Sequence, residues 1–297
     1  MELRNLRCLV ELSRAGGFSA AARVLHVTQS TVSKSIRQLE DDCGVALVER
    51  RGRGALRLTD AGEIVLRHAN NMLSEQEHLA AELAALQGLQ RGQLKLGLPV
   101  LASSVLFADS VAEFRKLYPG IEVQLQEHGS RLLEELVRKG EFEIGATLQP
   151  IHEDFDWQPI REEPLVALLS AEHPLSGRST LRLAELADTP TIMFEDGILL
   201  NSVISAAYRR RKMTLIDAGR SGNTDFIIAM VTAGLGVAFL PRIIVASRVH
   251  RSLRAVEVED KDMWWKMALI WRRGRALSPP ARRWLEMVAA TGVSKAN

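Results

Sequence analysis

Residues 28–37 read Thr-Gln-Ser-Thr-Val-Ser-Lys-Ser-Ile-Arg and crowd hydroxyls, an amide and two cations into one short stretch. Val32, Ile36 and Leu39 recur at helical spacing, so a helix here buries one stripe. Its remaining surface then offers Thr28, Gln29, Ser30, Thr31, Ser33, Lys34 and Arg37. That set suits duplex DNA: a glutamine amide pairs with an adenine edge, hydroxyls reach bases or phosphates, and Lys or Arg binds phosphate. The plainer alternative is a helical hairpin with a polar outer face. Further on, Arg50, Arg51 and Arg53 surround Gly52 and Gly54, while Leu56 and Leu58 alternate with Arg57. This reads as a short hairpin with a basic tip, placing Arg51 and Arg53 for phosphate or minor-groove contact.

The elements that must position these residues follow from local pattern. Leu3, Leu6, Leu9, Val10 and Leu12 predict a first helix over 3–14, stopped at Ala15-Gly16-Gly17 because glycine tolerates a left-handed cap. Ser19 is the expected N-cap of a second helix over 20–25. His26-Val27-Thr28 is a tight turn, Thr28 caps the third helix to about Asp42, and Gly44 ends it. From Thr59 to Leu89 no proline occurs. Val65, Met72, Leu79 and Leu86 recur every seven residues, with Ala69 and Leu83 between them and Gln76 weakening the seam. This predicts a helix of ~40 Å with a coiled-coil stripe, serving self-association or folding back on its own chain.

From residue 93 strand and helix patterns alternate: strands over 93–98, 121–128, 142–148, 164–170, 189–195, 214–218, 236–241 and 264–272. Helices fall over 103–117, 132–139, 199–211, 224–233 and 279–288. Such alternation predicts a parallel sheet covered by helices. The expected organisation is a winged helix-turn-helix over 1–58, a linker helix over 59–89 and a two-lobed α/β body over 90–297. Lobe 1 takes 93–161 and 267–297, and lobe 2 takes 162–266. Two chain crossings between lobes make a hinge, and small ligands bind in such crevices. Strand ends and helix starts single out Ser103, Ser104, His128, Ser130, Thr147 and Leu148 in one lobe. In the other they single out the stretch 194–201, which ends at Asn201, together with Asn223 and Thr224.

Composition narrows the classes. With 46% hydrophobic and 25% charged residues, the chain has the make-up of an ordinary globular protein. Residues 1–58 carry ten Lys/Arg against six Asp/Glu, so the cationic excess sits where the DNA-like helix does. Neither an apolar leader nor a membrane-length apolar run occurs, which predicts a cytoplasmic protein without membrane association. Cys8 and Cys43 sit in apolar periodic stretches and read as small buried hydrophobes, a redox pair being the alternative. No phosphate-cradling loop, nucleophile elbow or paired-histidine metal motif occurs, so neither an enzyme nor a bound cofactor is expected.

The segments Phe18–Ala22, Leu25–Ser33, Ile36–Glu40 and Leu58–Gly62 resemble the LysR-type transcriptional regulators. Looser matches extend the resemblance along the body: Phe114…Tyr118-Pro119, His173-Pro174-Leu175 and Gly234–Pro241. Cys43 and Val48 stand where leucine and phenylalanine are usual. The resemblance implies a winged helix-turn-helix, linker helices paired in dimers or tetramers, and a body akin to periplasmic binding proteins. By position it puts effector contacts at Ser103, Ser130, Leu148, Asn201 and Asn223. A leucine at 148, where members taking dicarboxylate-like effectors often carry a basic residue, argues against a strongly acidic effector. The expected partners are double-stranded promoter DNA, a small-molecule effector, further copies of the chain and RNA polymerase. Rivals are an exported binding protein, an enzyme with a DNA-binding head, and an architectural DNA protein that ignores sequence.

Overall fold

The computed structural model describes residues 1–49, 57–85, 92–246, 248, 251–290 and 294–295. They form two compact units, one built on Met1–Gly88 and one on Leu89–Arg138 with Phe142–Asn297. The first contains α1 (Leu3–Ala15), α2 (Phe18–Val24), α3 (Gln29–Cys43), β1 (Val48–Glu49), β2 (Arg57–Leu58) and α4 (Asp60–Ala85). Its core joins Leu6, Leu9 and Leu12 of α1 to Ala21, Ala22, Val32, Ile36, Leu39 and Leu47. Gly16 and Gly44 adopt φ of 68° and 70° and end α1 and α3 as expected. Cys8 is buried, Cys43 is partly so, and both are free thiols.

Ser19 does not cap α2. The helix starts two residues earlier, at Phe18, with the Gly17 carbonyl accepting from Ala21 N–H at 2.9 Å. Gly17 is extended there, so the first turn closes before Ser19 is reached. The stripe on α4 divides. Val65, Leu66, Ala69 and Leu73 pack onto the unit's own core, whereas Met72, Leu79 and Leu83 are exposed. The front of the helix therefore folds back on its own chain and only the later part presents a bare seam; Leu86 lies outside the described residues.

The stretch Leu58–Gly62 is a backbone clasp. Thr59 N–H donates to Leu47 O at 3.0 Å, and its hydroxyl donates to Ala46 O at 2.8 Å while accepting from Gly62 N–H at 3.0 Å. A Cβ on Gly62 would stand 2.1 Å from Leu47 O, so only glycine fits. Glu40, at the far end of α3, accepts from Leu47 N–H at 3.0 Å and Val48 N–H at 3.3 Å. One short segment is thus tied to both α3 and α4.

The second unit begins with β3 (Gly92–Pro99), α5 (Ser103–Leu106), α6 (Ala108–Leu117), β4 (Ile121–His128), α7 (Ser130–Lys139) and β5 (Ile144–Leu148). It continues with β6 (Phe155–Ser170), β7 (Thr180–Leu181), a 3-10 turn (Leu183–Leu186), β8 (Thr191–Phe194), α8 (Leu200–Arg210), β9 (Asp217–Ser221) and α9 (Thr224–Thr232). It closes with β10 (Ala238–Pro241), α10 (Arg242–Val245), β11 (Leu253–Val258), β12 (Trp264–Arg272), α11 (Pro279–Ala290) and β13 (Ser294–Lys295). The main sheet runs β4-β3-β5-β12-β6-β11-β7, with β10 and β13 also on β6, and β8-β9 form a separate pair.

The expected all-parallel sheet is corrected to a mixed one. β3 is parallel to β4 and β5, but β12 is antiparallel to both β5 and β6, and β10 and β11 are antiparallel to β6. No helix separates β5 from β6 or β11 from β12, so nothing returns the chain to the same end before the next strand. β6 is the shared spine: Phe155–Pro164 pair with β12, and Leu165–Ser170 with β10 and β11. Its first half is absent from the expected strands, because Pro159, Arg161, Glu162 and Glu163 hide the strand pattern. Inside the fold Glu163 is 2% exposed and accepts from Arg161 Nε at 2.6 Å, which neutralises it.

Smaller departures have local causes. The helix expected over 103–117 breaks at Phe107 (φ −121°), whose buried ring packs against Trp284 at 5.9 Å. β9 lies at Asp217–Ser221 rather than 214–218, and β7, β11, α10 and the 3-10 turn add to the expected elements. Gly236, at φ 159°, lets Val237 bridge Pro190 O and Ile192 N–H at 2.8 Å each; a Cβ there would sit 2.2 Å from Pro190 O.

Arg211, at the end of α8, donates to Asp260 at 2.7 Å and to Asp262 at 2.7 and 3.0 Å, and Arg210 joins Asp262 at 2.9 Å. Hydrogen bonding from Arg211 leads the causes that lower the Asp262 carboxyl from the usual 3.8 to about 2. A depressed carboxyl stabilises the fold above its unfolded value and ceases to as it protonates in the folded state. Urea midpoints measured from about pH 5 downward are expected to fall between about pH 4 and 2, and Asp262→Asn to flatten that fall.

Candidate functional site

Thr28 opens α3 with extended backbone, and its Oγ1 accepts from Thr31 N–H at 3.2 Å. The same oxygen lies 2.8 Å from the hydroxyls of Ser30 and of Thr31, so the helix starts in a small knot of hydroxyls. Val32, Ile36 and Leu39 face the core, as does Ser35. Gln29, Lys34 and Arg37 are exposed, Ser33 is partly so, and none of the four makes a side-chain bond among the described residues. An amide and two cations without internal partners are available to an outside one. His26, at φ 53° in the preceding turn, helps reverse the chain, and Val27 N–H bonds Ala22 O at 3.0 Å. Arg50, Arg51 and Arg53 lie outside the described residues, whereas the Val48↔Leu58 pairing that flanks them is present.

In the second unit the loops at the ends of β3 and β4 meet the segment after β8. Arg131 N–H donates to Gly197 O at 3.2 Å, and a Cβ on Gly129 would come within 3.0 Å of that oxygen. Ser130 begins α7 beside this contact; it is 5% exposed and its hydroxyl has no partner among the described residues. The Ser103 hydroxyl donates to Glu127, and Val100 N–H to His128 O at 3.2 Å, so Ser103 and His128 share the same rim. Ser104 is exposed, and the His128 ring meets Gln126 at 3.2 Å. Thr147 is wholly buried and donates to Glu134 of α7 at 2.6 Å, and Leu148 beside it is buried.

On the facing side Asn201 is spent on the backbone. Its Oδ1 accepts from Phe194 N–H at 3.0 Å, and its Nδ2 donates to Phe194 O at 2.8 Å. Asn223 caps α9, its Oδ1 accepting from Asp225 N–H at 2.9 Å and Phe226 N–H at 3.2 Å. Thr224 follows without a side-chain bond among the described residues. Glu195 N–H donates to Ser221 O at 3.1 Å, and the Glu195 carboxylate covers Gly222. The structure therefore brings Ser103, His128 and Ser130 close to the 195–201 segment, sets the 221–224 turn against Glu195, and leaves Thr147 and Leu148 at the end of β5.

Three carboxylates escape a reading of the sequence: Glu127, Glu134 and Glu195 form no ion pair among the described residues. A signal exists for one of them. Ile121, Val123, Leu125 and Glu127 alternate along β4, so Glu127 continues the face that begins in the core. Among the described residues no group of His, Cys, Asp or Glu could hold a metal ion, and no helix is long and apolar enough to cross a membrane. The arrangement offers hydroxyls, carboxylates and backbone groups around a crevice, which equips it for binding.

A helix-turn-helix with a bare polar face, joined in one chain to a crevice-bearing α/β unit, defines a DNA-binding protein that senses a small molecule. Comparison with known proteins agrees. The family model for bacterial regulatory helix-turn-helix proteins of the lysR family matches residues 3–63, and that for the LysR substrate binding domain matches residues 87–292. The HTH-type transcriptional regulator YwbI of Bacillus subtilis is 34% identical over 292 residues, covering 96% of this chain and 95% of that protein. A full-length OxyR variant from Pseudomonas aeruginosa superposes with a TM-score of 0.76 at 25% identity, covering 98% of this chain and 94% of that one. CbnR in complex with its target DNA shares the fold, with a TM-score of 0.64 at 22% identity, covering 98% of this chain and 100% of that one. The chain belongs to the LysR family: it is a DNA-binding transcriptional regulator with an effector-binding domain, and not an enzyme.

Because Asn201 holds both polar groups of Phe194, its loss strands two backbone groups. Asn201→Ala is expected to lower stability by about 1–3 kcal/mol, read as a drop in urea midpoint without ligand. An unchanged midpoint would show that those backbone groups find other partners.

Proposed function

We propose that α3 enters the major groove, with Gln29 reading a base edge and Thr28, Ser30, Thr31 and Ser33 reaching bases or phosphates. Lys34 and Arg37 take phosphates, and Arg51 and Arg53 of the wing add backbone or minor-groove contacts. The observation that carries this is the bare outer face of α3, where an amide and two cations stand unbonded opposite the buried Val32, Ile36 and Leu39. A solvated hairpin has no need of the hydroxyl knot at the helix start, whereas a DNA-reading helix uses its first turn.

In the crevice the effector is held by Ser130, whose hydroxyl makes no bond among the described residues, together with Ser103, Ser104, His128, Thr147, Leu148, Asn223 and Thr224. Asn201 shapes the rim through Phe194. The lobes are 93–161 with 267–297, and 162–266, hinged where β6 and β12 cross. An effector that prefers one degree of closure shifts the balance between two placements of the heads. The exposed Met72 and Leu79, continued towards Leu86, pair α4 with its copy in a dimer, which assembles further into a tetramer and reads two half-sites. Val65 contributes only from within its own head. The protein works in the cytoplasm, on promoter DNA, and through RNA polymerase.

Fluorescence anisotropy with promoter fragments tests the assignment. Arg37→Ala is expected to weaken binding about equally on every sequence and to reduce the salt slope by about 1. Gln29→Ala is expected to relax preference at one base position by ~1–3 kcal/mol. Uniform loss in both variants would overturn the division between base reader and phosphate ligands.

A further inference from the structure

The first unit contains a cavity of 420 Å³ between α1, the turn before α3, the inner side of α3 and α4. That volume lies in the range of small-molecule sites. Its walls are largely apolar: Leu3 and Cys8 from α1, Leu25 and Val27 from the turn, and Leu73 from α4. Arg4, Arg7, Thr31, Ser35 and Gln76 interrupt them. Ser35 is 7% exposed, yet its hydroxyl makes no hydrogen bond among the described residues. That hydroxyl is open to the cavity and can hydrogen-bond to whatever enters it. Arg7 also lines the cavity and is exposed, with no acidic partner among the described residues, whereas its neighbour Arg4 is already engaged by Glu2 at 3.0 Å.

An apolar chamber with one uncompensated cation and one unpartnered hydroxyl is complementary to an apolar molecule carrying a single anionic head. We propose that this cavity is a second ligand site, separate from the crevice, that takes small apolar monocarboxylates. The carboxylate pairs with Arg7, Ser35 hydrogen-bonds to the ligand, and the hydrocarbon packs against Leu3, Leu25, Val27 and Leu73. Thr31 belongs to the same wall, and its hydroxyl and N–H are the ones bonded to Thr28 at the start of α3. An occupant therefore bears on the first turn of α3 from one side and on α4 from the other. DNA affinity becomes sensitive to it without any change in the crevice.

The test uses the full chain carrying Cys43→Ser, so that Cys8 in the cavity wall is the sole thiol, with octanoate as the probe. At about ten times its dissociation constant, octanoate is expected to slow modification of Cys8 by methyl methanethiosulfonate about ten-fold. Calorimetry is expected to give one octanoate per chain. Arg7→Gln, a surface change, is expected to weaken octanoate about ten-fold, and Ser35→Ala about three-fold. Lack of saturable heat with octanoate would overturn the proposal, as would affinity unchanged by Arg7→Gln or equal protection by octylammonium. Cys8 protection that rises with protein concentration and ignores octanoate would overturn it too, assigning the cavity to a second copy of the chain.

Discussion

The body depends on one pair of strands. β6 runs through sixteen residues without a break and β12 lies antiparallel along its first ten, so both chain crossings are hydrogen-bonded to each other. Paired, the two strands form one continuous antiparallel ribbon. The register shifts between Met267 and Ala268, opposite the skipped Ile160, which puts extra twist into the ribbon where it passes from one half to the other. Glu163 and Arg161 sit beside this point and neutralise each other in a nearly closed site. Any change in the angle between the halves must be absorbed here.

The head solves a different problem with the same economy. With its polar face bare, α3 needs firm backing on a unit with little core. Leu6, Leu9 and Leu12 supply the apolar part of that backing. The polar part comes from Glu40 and Thr59, which share the backbone groups of Ala46–Val48 between them. Two motif residues away from the polar face of α3 thus have structural explanations: Gly62 because a Cβ would strike Leu47 O, Thr59 because it both donates and accepts in the clasp.

Most of the head is legible in the sequence because its signals are local. Helical spacing, glycine caps and the Thr28 cap each act within a few residues. The body is legible as a succession of elements but not as a sheet. Strand direction is decided by what lies between strands, and the missing helices before β6 and β12 reverse it. Phe155–Glu163 escapes because its polar residues are satisfied by partners distant in the chain or by each other. Around the candidate site, the helix starts at Ser103 and Thr224 can be read from pattern, whereas α7 begins at Ser130, two residues before the expected start. The acidic side chains there cannot be read so, since Glu134 meets Thr147 and Glu195 meets Gly222 only after folding. Asn201 shows the limit of reading a site by position, because its amide is occupied by Phe194 before any ligand arrives.

Gly129 and Gly197 meet as bare main chain, with no side chain from either interposed. The gap at that rim is therefore set by peptide thickness, the least compressible spacer a protein has. A molecule seated there cannot be accommodated by rotamer changes alone. Parting these two segments would mean separating two peptide planes already joined by the Arg131 N–H to Gly197 O bond.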